Sequence, residues 1–173
     1  MAGTSSHKVI IGRAELIHFN DFEIADLPAK VDTGAYRSAV HVSRVKLSED
    51  GKKLSFRLMG GHPVFGNLAK KVTVTDFNRV SITNSFGHRE ERYEVQLKVK
   101  VGNKSFKSTF SLANREKMIY PVLLGRKMLN RRFLVDSAQT GVDRAALKRK
   151  YNIEIPEEEE QRYEDSDTFK RPR

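Results

Sequence analysis

A strict alternation of apolar and polar residues, interrupted by one two-residue turn, constrains the fold of this chain more than any other feature. In residues 95–101, Val and Leu alternate with Gln and Lys, and residues 104–112 return with Phe and Leu on one face. Gly102 and Asn103 separate the two halves and form a pair typical of tight turns between antiparallel strands. The pattern predicts a β-hairpin with one buried face.

Shorter strand signals surround this hairpin. Residues 43–58 contain a second hairpin with an Asp-Gly turn, and residues 60–67 are rich in glycine and indicate a loop. Helix signals are short and lie at residues 126–130 and 145–150. Short strands with little helix predict an all-β barrel or sandwich. The further strand candidates are residues 9–11, 23–31, 72–77 and 132–136.

Length and composition predict one domain with a polar tail. The chain has 173 residues and no cysteine, which excludes disulfides and thiolate zinc sites. It lacks both the apolar run of a signal peptide and the roughly 18 consecutive apolar residues of a membrane helix, so we expect a cytoplasmic protein without membrane association. We predict a flexible N-terminus at 1–8, one domain at 9–156 and a disordered acidic tail at 157–173.

The charge is unevenly distributed along the chain. The net charge is +10, but residues 157–173 carry seven acidic and four basic side chains, so residues 1–156 carry +13. A body this basic attracts polyanions such as nucleic acid, an acidic peptide or its own tail, although a solvated lysine-rich surface explains the charge equally well. The scattered phenylalanines and the absence of tryptophan argue against a nucleic-acid partner.

One segment carries candidate chemistry. Residues 27–31 form an apolar strand that leads directly into Asp32, Thr33 and Gly34. A carboxylate on a glycine-containing turn at the end of a strand can project into a cleft, and glycine lets a substrate or another backbone approach closely. Two such carboxylates face to face would share one proton and could activate water. Alone, these three residues are also compatible with a plain turn.

A second segment strengthens the interpretation, because residues 120–126 are an apolar run that ends in glycine and precedes a short helix. Together, the motifs resemble the retropepsin-like "ATP-dependent zinc protease" family, which is linked to RimK-type ATP-grasp glutamate ligases. The resemblance covers residues 9–136. Its matching segments are residues 11–15 (Ile-Gly-Arg-Ala-Glu), 29–35 (Ala-Lys-Val-Asp-Thr-Gly-Ala), 38–41 (Ser-Ala-Val-His), 89–93 (Arg-Glu-Glu-Arg-Tyr) and 123–126 (Leu-Leu-Gly-Arg).

The resemblance implies a retropepsin-like closed β-barrel with one short helix after the Leu-Leu-Gly segment, and an aspartic endopeptidase. Because the chain holds one Asp-Thr-Gly, the dyad would require a homodimer. A flap is expected at residues 82–88, an acidic, glutamate-rich peptide is a candidate substrate, and an ATP-grasp glutamate ligase is a candidate partner. The implied catalytic residues are Asp32, Thr33 and Gly34, and the implied substrate-binding residues are Ala35, Tyr36, Arg37, Phe86, Gly87, Leu124, Gly125 and Arg126.

The chain departs from the family pattern in two respects. Viral relatives carry an acidic residue where this chain has Tyr36, so an ion pair from that position to Arg126 is unavailable. The zinc of the family name has no support, because the five histidines lack ligand spacing, and no phosphate-binding glycine loop accompanies the ATP of the name. We therefore expect no cofactor, and we expect His41 to be packed or hydrogen-bonded.

Two other functions remain open. The barrel could be a non-catalytic module that binds an acidic protein or RNA, or a metal hydrolase that uses Asp32 and histidines. Activity measured with and without Asp32→Asn and a chelator separates the three.

Overall fold

The computed structural model describes residues 7–83 and 86–152. The predicted acidic tail and most of the predicted N-terminal segment lie outside these residues. Within them, two short helices are present, α1 (Arg126–Leu129) and α2 (Arg144–Lys150). The strands are β1 (Val9–Ile11), β2 (Ala14–Phe19), β3 (Ile24–Val31), β4 (Ser38–Leu47), β5 (Leu54–Leu58), β6 (Lys70–Val74), β7 (Phe77–Thr83), β8 (Arg89–Val101), β9 (Lys104–Ala113), β10 (Val122–Leu124) and β11 (Phe133–Val135).

Six strands form a closed barrel in the order β10-β3-β2-β8-β9-β4. Strand β10 closes the ring, because it pairs in parallel with β3 and antiparallel with β4. Val122 thereby lies opposite both Ala29 and Val40. The predicted all-β, retropepsin-like closed barrel is confirmed.

The alternating hairpin supplies much of the core. Strands β8 and β9 are antiparallel, and their ladder runs from Val95 opposite Phe110 to Val101 opposite Lys104, as predicted. The apolar residues of this pattern are buried, apart from the partly buried Phe106, whereas Gln96 and Lys98 are exposed. Burying one such aliphatic side chain contributes about 1.5–3 kcal/mol, so the alternation fixes which face points inward.

The second predicted hairpin is also present. Strands β4 and β5 are antiparallel around the turn at Gly51, and Asp50 accepts hydrogen bonds from the Ser48 hydroxyl and the Lys52 N–H. Strand β6 extends this hairpin outward from the barrel.

The predicted strand at residues 72–77 is wrong in its extent. Its two ends belong to different strands, β6 and β7, and β7 pairs with the first half of β8, with Phe77 opposite Val95 and Thr83 opposite Arg89. Strand β8 therefore begins six residues before the predicted start of its hairpin. The sequence marks this arm only weakly, because its side chains are exposed or at most half-buried and β7 has only three apolar residues, Phe77, Val80 and Ile82.

The termini of the domain follow local signals. Helix α1 directly follows Gly125, and α2 begins after Asp143, whose carboxylate accepts a hydrogen bond from the Ala146 N–H at 3.0 Å. The predicted closing strand is β11, which pairs in parallel with β1. None of the described helices has the length and apolar character needed to cross a membrane.

Candidate active site

Asp32 is held at the end of β3 by main-chain hydrogen bonds. Its N–H donates to the Leu124 oxygen at 2.9 Å, which links it to the neighbouring strand β10. The N–H groups of Gly34 and Ala35 donate to Asp32 Oδ1 at 3.0 and 3.2 Å. Both donors therefore fix the same carboxylate oxygen. The side chain is partly exposed, and Thr33 and Gly34 are exposed beside it, so the carboxylate is both positioned and accessible.

The Leu-Leu-Gly segment packs against the chain that leaves this loop. The N–H of Arg126 donates to the Ala35 oxygen at 2.8 Å, and the N–H of Lys127 donates to the Tyr36 oxygen at 3.0 Å. A Cβ atom on Gly125 would lie 2.5 Å from the Arg37 oxygen and 2.9 Å from the Tyr36 oxygen. This close approach requires glycine, and it explains why the two segments occur together.

The side chain of Arg126 supports the loop in a way that the sequence did not predict. Its Nη1 atom donates to the main-chain oxygens of Thr33 and Gly34 at 3.0 and 2.9 Å. The expected loss of an ion pair at position 36 is thus offset by main-chain acceptors. Leu124 is fully buried, so its side chain belongs to the core, and its contact with the loop is through its oxygen.

Tyr36 and Arg37 lie on the surface directly after the loop. Tyr36 is 53% exposed, and the Arg37 guanidinium lies 5.7 Å from the centre of its ring. Arg37 Nε forms an ion pair with Glu94 Oε1 at 2.7 Å. Sequence reasoning missed Glu94, because an acidic residue on a strand carries no signal of a partner 57 positions away.

The predicted flap segment lies at the tip of the β7–β8 hairpin, whose connecting residues 84 and 85 are outside the described residues. Phe86 is 88% exposed, and Gly87 has a positive φ of 81°, a conformation that favours glycine. A flap would be a hairpin that lies in the chain between the Asp-Thr-Gly and Leu-Leu-Gly segments, and the β7–β8 hairpin has this place. Its closure over a substrate stays a prediction.

A further arginine missed by the sequence lies near Asp32. The main-chain N–H of Arg115 donates to His41 Nδ1 at 2.9 Å, and its Nε donates to the Tyr120 oxygen at 3.1 Å. Burial and the positive charge of Arg92 lower the pKa of Arg115, whereas the Asp32 carboxylate raises it. Arg115 is therefore electrostatically coupled to both groups. It belongs to an irregular segment without a motif, which is why the sequence gives no signal for it.

His41 and His62 are buried and hydrogen-bonded, as expected for His41. Because His41 Nδ1 accepts the Arg115 N–H, its Nε2 carries the proton that faces the Gly60 oxygen at 2.9 Å. His62 Nδ1 accepts the N–H groups of Val64 and Phe65. Burial lowers the pKa of both histidines, that of His62 to about 4.

These histidines do not fit a zinc site. Both ring nitrogens of His41 are engaged by the protein, and so is Nδ1 of His62. Among residues 7–83 and 86–152, no three His, Asp or Glu side chains come together as a metal-binding group.

The chain is similar in sequence to part of two longer proteins. The chain is 29% identical over 142 residues to a "Probable alpha-L-glutamate ligase" of Shewanella pealeana, covering 79% of this chain and 30% of that protein. A protein of the same name from Desulfotalea psychrophila is 29% identical over 137 residues, covering 76% of this chain and 28% of the relative. The chain thus spans less than a third of these relatives.

The structural comparison covers almost a whole solved chain. The crystal structure of Lpg0085 from Legionella pneumophila, a protein of unknown function (DUF785), matches with a TM-score of 0.62 and 26% identity, over 78% of this chain and 97% of that one. Residues 10–156 match the RimB-like family, described as "Retropepsin-like aspartic endopeptidase RimB". The chain belongs to the RimB-like family of retropepsin-like proteins.

Proposed function

We propose that this protein is an aspartic endopeptidase whose active site combines Asp32 from each of two subunits. The observation that carries the proposal is the fixed carboxylate: Asp32 Oδ1 accepts two loop N–H bonds while the side chain stays partly exposed. A carboxylate that is oriented in this way needs little reorganisation to act on a bound substrate.

The chemistry follows from two like groups at close range. Two facing carboxylates hold one proton between them, because both cannot be ionised a few Å apart. The ionised Asp32 takes a proton from water, which attacks the peptide carbonyl, while the protonated Asp32 donates a hydrogen bond to the carbonyl oxygen. The C–N bond then breaks, and the proton taken from water passes to the leaving amine. In each subunit, Thr33 and Gly34 maintain the loop, and Arg126 holds their main-chain oxygens.

Exposed apolar residues beside the Asp-Thr-Gly loop support the proposal that two subunits associate. Ile10 on β1 and Leu134 on β11 are paired in register and are 51% and 53% exposed. A surface cavity of about 620 Å³ connects β11 to the Asp-Thr-Gly loop, with Thr33, Tyr36 and Leu134 among its lining residues. Its rim is basic, because Lys8, Arg126, Lys127 and Arg131 also line it. A symmetric dimer that buries this surface would bring two loops towards one axis.

We further propose an acidic, glutamate-containing peptide as substrate and a glutamate ligase as partner. Two observations support this: residues 1–156 carry a charge of +13, and the matched region forms about 30% of a relative named as an alpha-L-glutamate ligase. A ligase that adds glutamate and a peptidase that removes it would act on the same acidic chain.

The test compares wild-type protein with Asp32→Asn on a library of peptides that contain Glu or neutral residues, with and without a chelator. We expect cleavage by the wild type, loss of cleavage in the variant with an unchanged melting temperature, and no effect of the chelator. Normal turnover by Asp32→Asn would refute the mechanism, and loss of activity with the chelator would favour a metal hydrolase. Peptide binding without cleavage would favour a non-catalytic binding module.

A further inference from the structure

Arg92 and Arg115 are brought together by the register of β8 and β9. Glu94 lies opposite Ser111 in this ladder. Arg92 lies two residues before Glu94 and is therefore level with Ala113, the last residue of β9. Arg115 comes two residues after Ala113 in the chain. Residues two apart on a strand share one face, so Arg92 emerges on the side where Glu94 meets Arg37. That side faces the chain that leaves Asp32. Arg115 lies in the irregular segment just after β9, where the charges of Arg92 and Asp32 both act on it.

The Arg115 side chain is held in place but keeps donors to offer. Its main-chain N–H is fixed by His41, and its Nε is fixed by the Tyr120 oxygen. Among the described residues, its side-chain hydrogen bonding is confined to Nε, so Nη1 and Nη2 remain for an external acceptor. An arginine anchored through one nitrogen loses little freedom when it binds an anion.

Arg92 has an unused donor as well. Its Nη2 donates to Glu90 Oε2 at 2.7 Å, whereas its Nε is buried and has no hydrogen-bond partner among the described residues. A buried N–H without a partner costs free energy, and a second guanidinium nearby adds repulsion. A bound anion would relieve the repulsion, and Nη1 of Arg92, which makes no hydrogen bond among the described residues, can donate to it.

We propose that Arg92 and Arg115 form a carboxylate-binding subsite beside Asp32 and determine specificity for acidic peptides. This inference rests on the proposed peptidase function. The carboxylate of the peptide accepts hydrogen bonds from the free donors of both guanidiniums. These bonds hold the peptide so that the peptide bond to be cleaved lies near Asp32. The same chemistry fits the side chain of an internal Glu or the C-terminal carboxylate of the peptide, and these two sources predict different cleavage patterns.

The experiment measures binding without turnover, in the Asp32→Asn protein. The probes are a hexaglutamate peptide with a free C-terminus, the same peptide amidated, and a hexaglutamine peptide with a free C-terminus. We expect Arg92→Gln and Arg115→Gln to weaken hexaglutamate binding by about tenfold or more, because each removes charge-assisted hydrogen bonds. Lys98→Gln removes one positive charge from an exposed position of the same strand and should change binding by less than about twofold.

The amidated peptide identifies the source of the carboxylate. If the amidated peptide binds as tightly as the free one and still depends on the arginines, the subsite recognises a glutamate side chain. If amidation abolishes this binding while hexaglutamine with a free C-terminus still binds, the subsite recognises the C-terminal carboxylate. If both arginine variants bind as tightly as the Lys98→Gln control, the subsite is refuted. Arg92→Gln carries the test if Arg115→Gln unfolds, because Arg92 Nε makes no bond that the fold requires.

Failure of the subsite and failure of the peptidase proposal remain distinguishable. Arginine-independent binding together with Asp32-dependent cleavage of neutral peptides would refute only the subsite. Arginine-dependent binding in a wild-type protein that cleaves no peptide would refute only the peptidase.

Discussion

The Arg37 guanidinium and the Glu94 carboxylate form an ion pair of 2.7 Å between the chain that leaves the Asp-Thr-Gly loop and strand β8. The Glu94 side chain is 9% exposed, whereas that of Arg37 is 40% exposed. The pair therefore connects the Asp-Thr-Gly loop to the strand that forms the β7–β8 hairpin. Glu94 depends on Arg37, because a buried carboxylate without a partner is unfavourable.

Arg37→Met should therefore lower the free energy of unfolding by about 1–3 kcal/mol, as expected when a buried charged acceptor loses its partner. Glu94→Gln should lower the free energy of unfolding by less, because the glutamine amide oxygen can still accept a hydrogen bond from Arg37 Nε–H. Urea unfolding at pH 7 measures both, and the double variant gives the coupling between them. Glu90→Gln is the control, since Glu90 pairs with Arg92 from a side chain that is 61% exposed and should change stability by less than about 0.5 kcal/mol. Equal losses in all three variants would contradict the assignment.

Gly125→Ala should displace the Leu-Leu-Gly segment from the Asp-Thr-Gly loop. The new Cβ would meet the main-chain oxygens of Arg37 and Tyr36, neither of which can move without disturbing the loop. We expect a loss of about 1–3 kcal/mol in stability and of peptide cleavage. Gly66→Ala is the matched control, because the nearest atoms to its Cβ are 3.9 Å away. Thermal unfolding and a cleavage assay of both variants check this, and a stable, active Gly125→Ala protein would show that the contact is not required.

Stability should fall with acidification because of His62. Its pKa is lowered from 6.5 to about 4 by burial and by His41, so the unfolded chain binds a proton more readily than the folded one. Neutral His62 makes its full contribution to the free energy of unfolding above pH 6.5. This contribution declines as the pH falls and is lost by about pH 4, and it amounts to about 3 kcal/mol at most. Urea unfolding between pH 4 and 7 measures this slope.

His62→Asn isolates the effect of that proton. The asparagine oxygen can still accept the N–H groups of Val64 and Phe65, but it does not titrate. The variant should be less stable at pH 7 and should show a shallower dependence on pH. His7→Asn, at an exposed position, should retain the wild-type slope. An unchanged slope in His62→Asn would assign the pH dependence to other groups.

Leu134→Glu should weaken the proposed dimer by about tenfold or more, because burying an unpaired carboxylate in an apolar contact is costly. Sedimentation across a dilution series measures the dissociation constant, and cleavage should decline in parallel with the dimer. Leu47→Glu adds the same charge at a similarly exposed leucine, on the outer end of β4. If both variants sediment as the wild type does, the dimer surface lies elsewhere.

Local patterns in the sequence predicted the parts of the fold that rest on local physics. The β8–β9 and β4–β5 hairpins, α1 and β11 were found because alternation, turn residues or a glycine mark them within a few positions. The first half of β8 and β7 beyond Phe77 were missed, since their side chains are exposed or half-buried and show little apolar alternation. The pairing of β1 with β11 joins opposite ends of the domain, so no local signal specifies it.

Some residues of the candidate site could likewise be predicted from local patterns in the sequence, and others could not. Asp32, Thr33 and Gly34 could be proposed from the sequence because they form a glycine-containing turn at the end of a strand, whereas Gly125 was proposed from the family resemblance. Glu94 and Arg115 were not proposed, because their roles depend on partners that only the closed barrel brings near. The part of the chain that sets specificity in our proposal is therefore the part least visible in the sequence.

The late position of β10 has a consequence for biosynthesis. The Arg126 side chain that holds the loop lies 93 residues after Thr33, and the β10 oxygen that fixes Asp32 lies just before it. During translation, the Asp-Thr-Gly segment leaves the ribosome well before either contact can form. The nascent chain therefore carries the carboxylate without its supports until β10 and Arg126 have been synthesised. Contacts of such long sequence separation also make this a slowly folding topology.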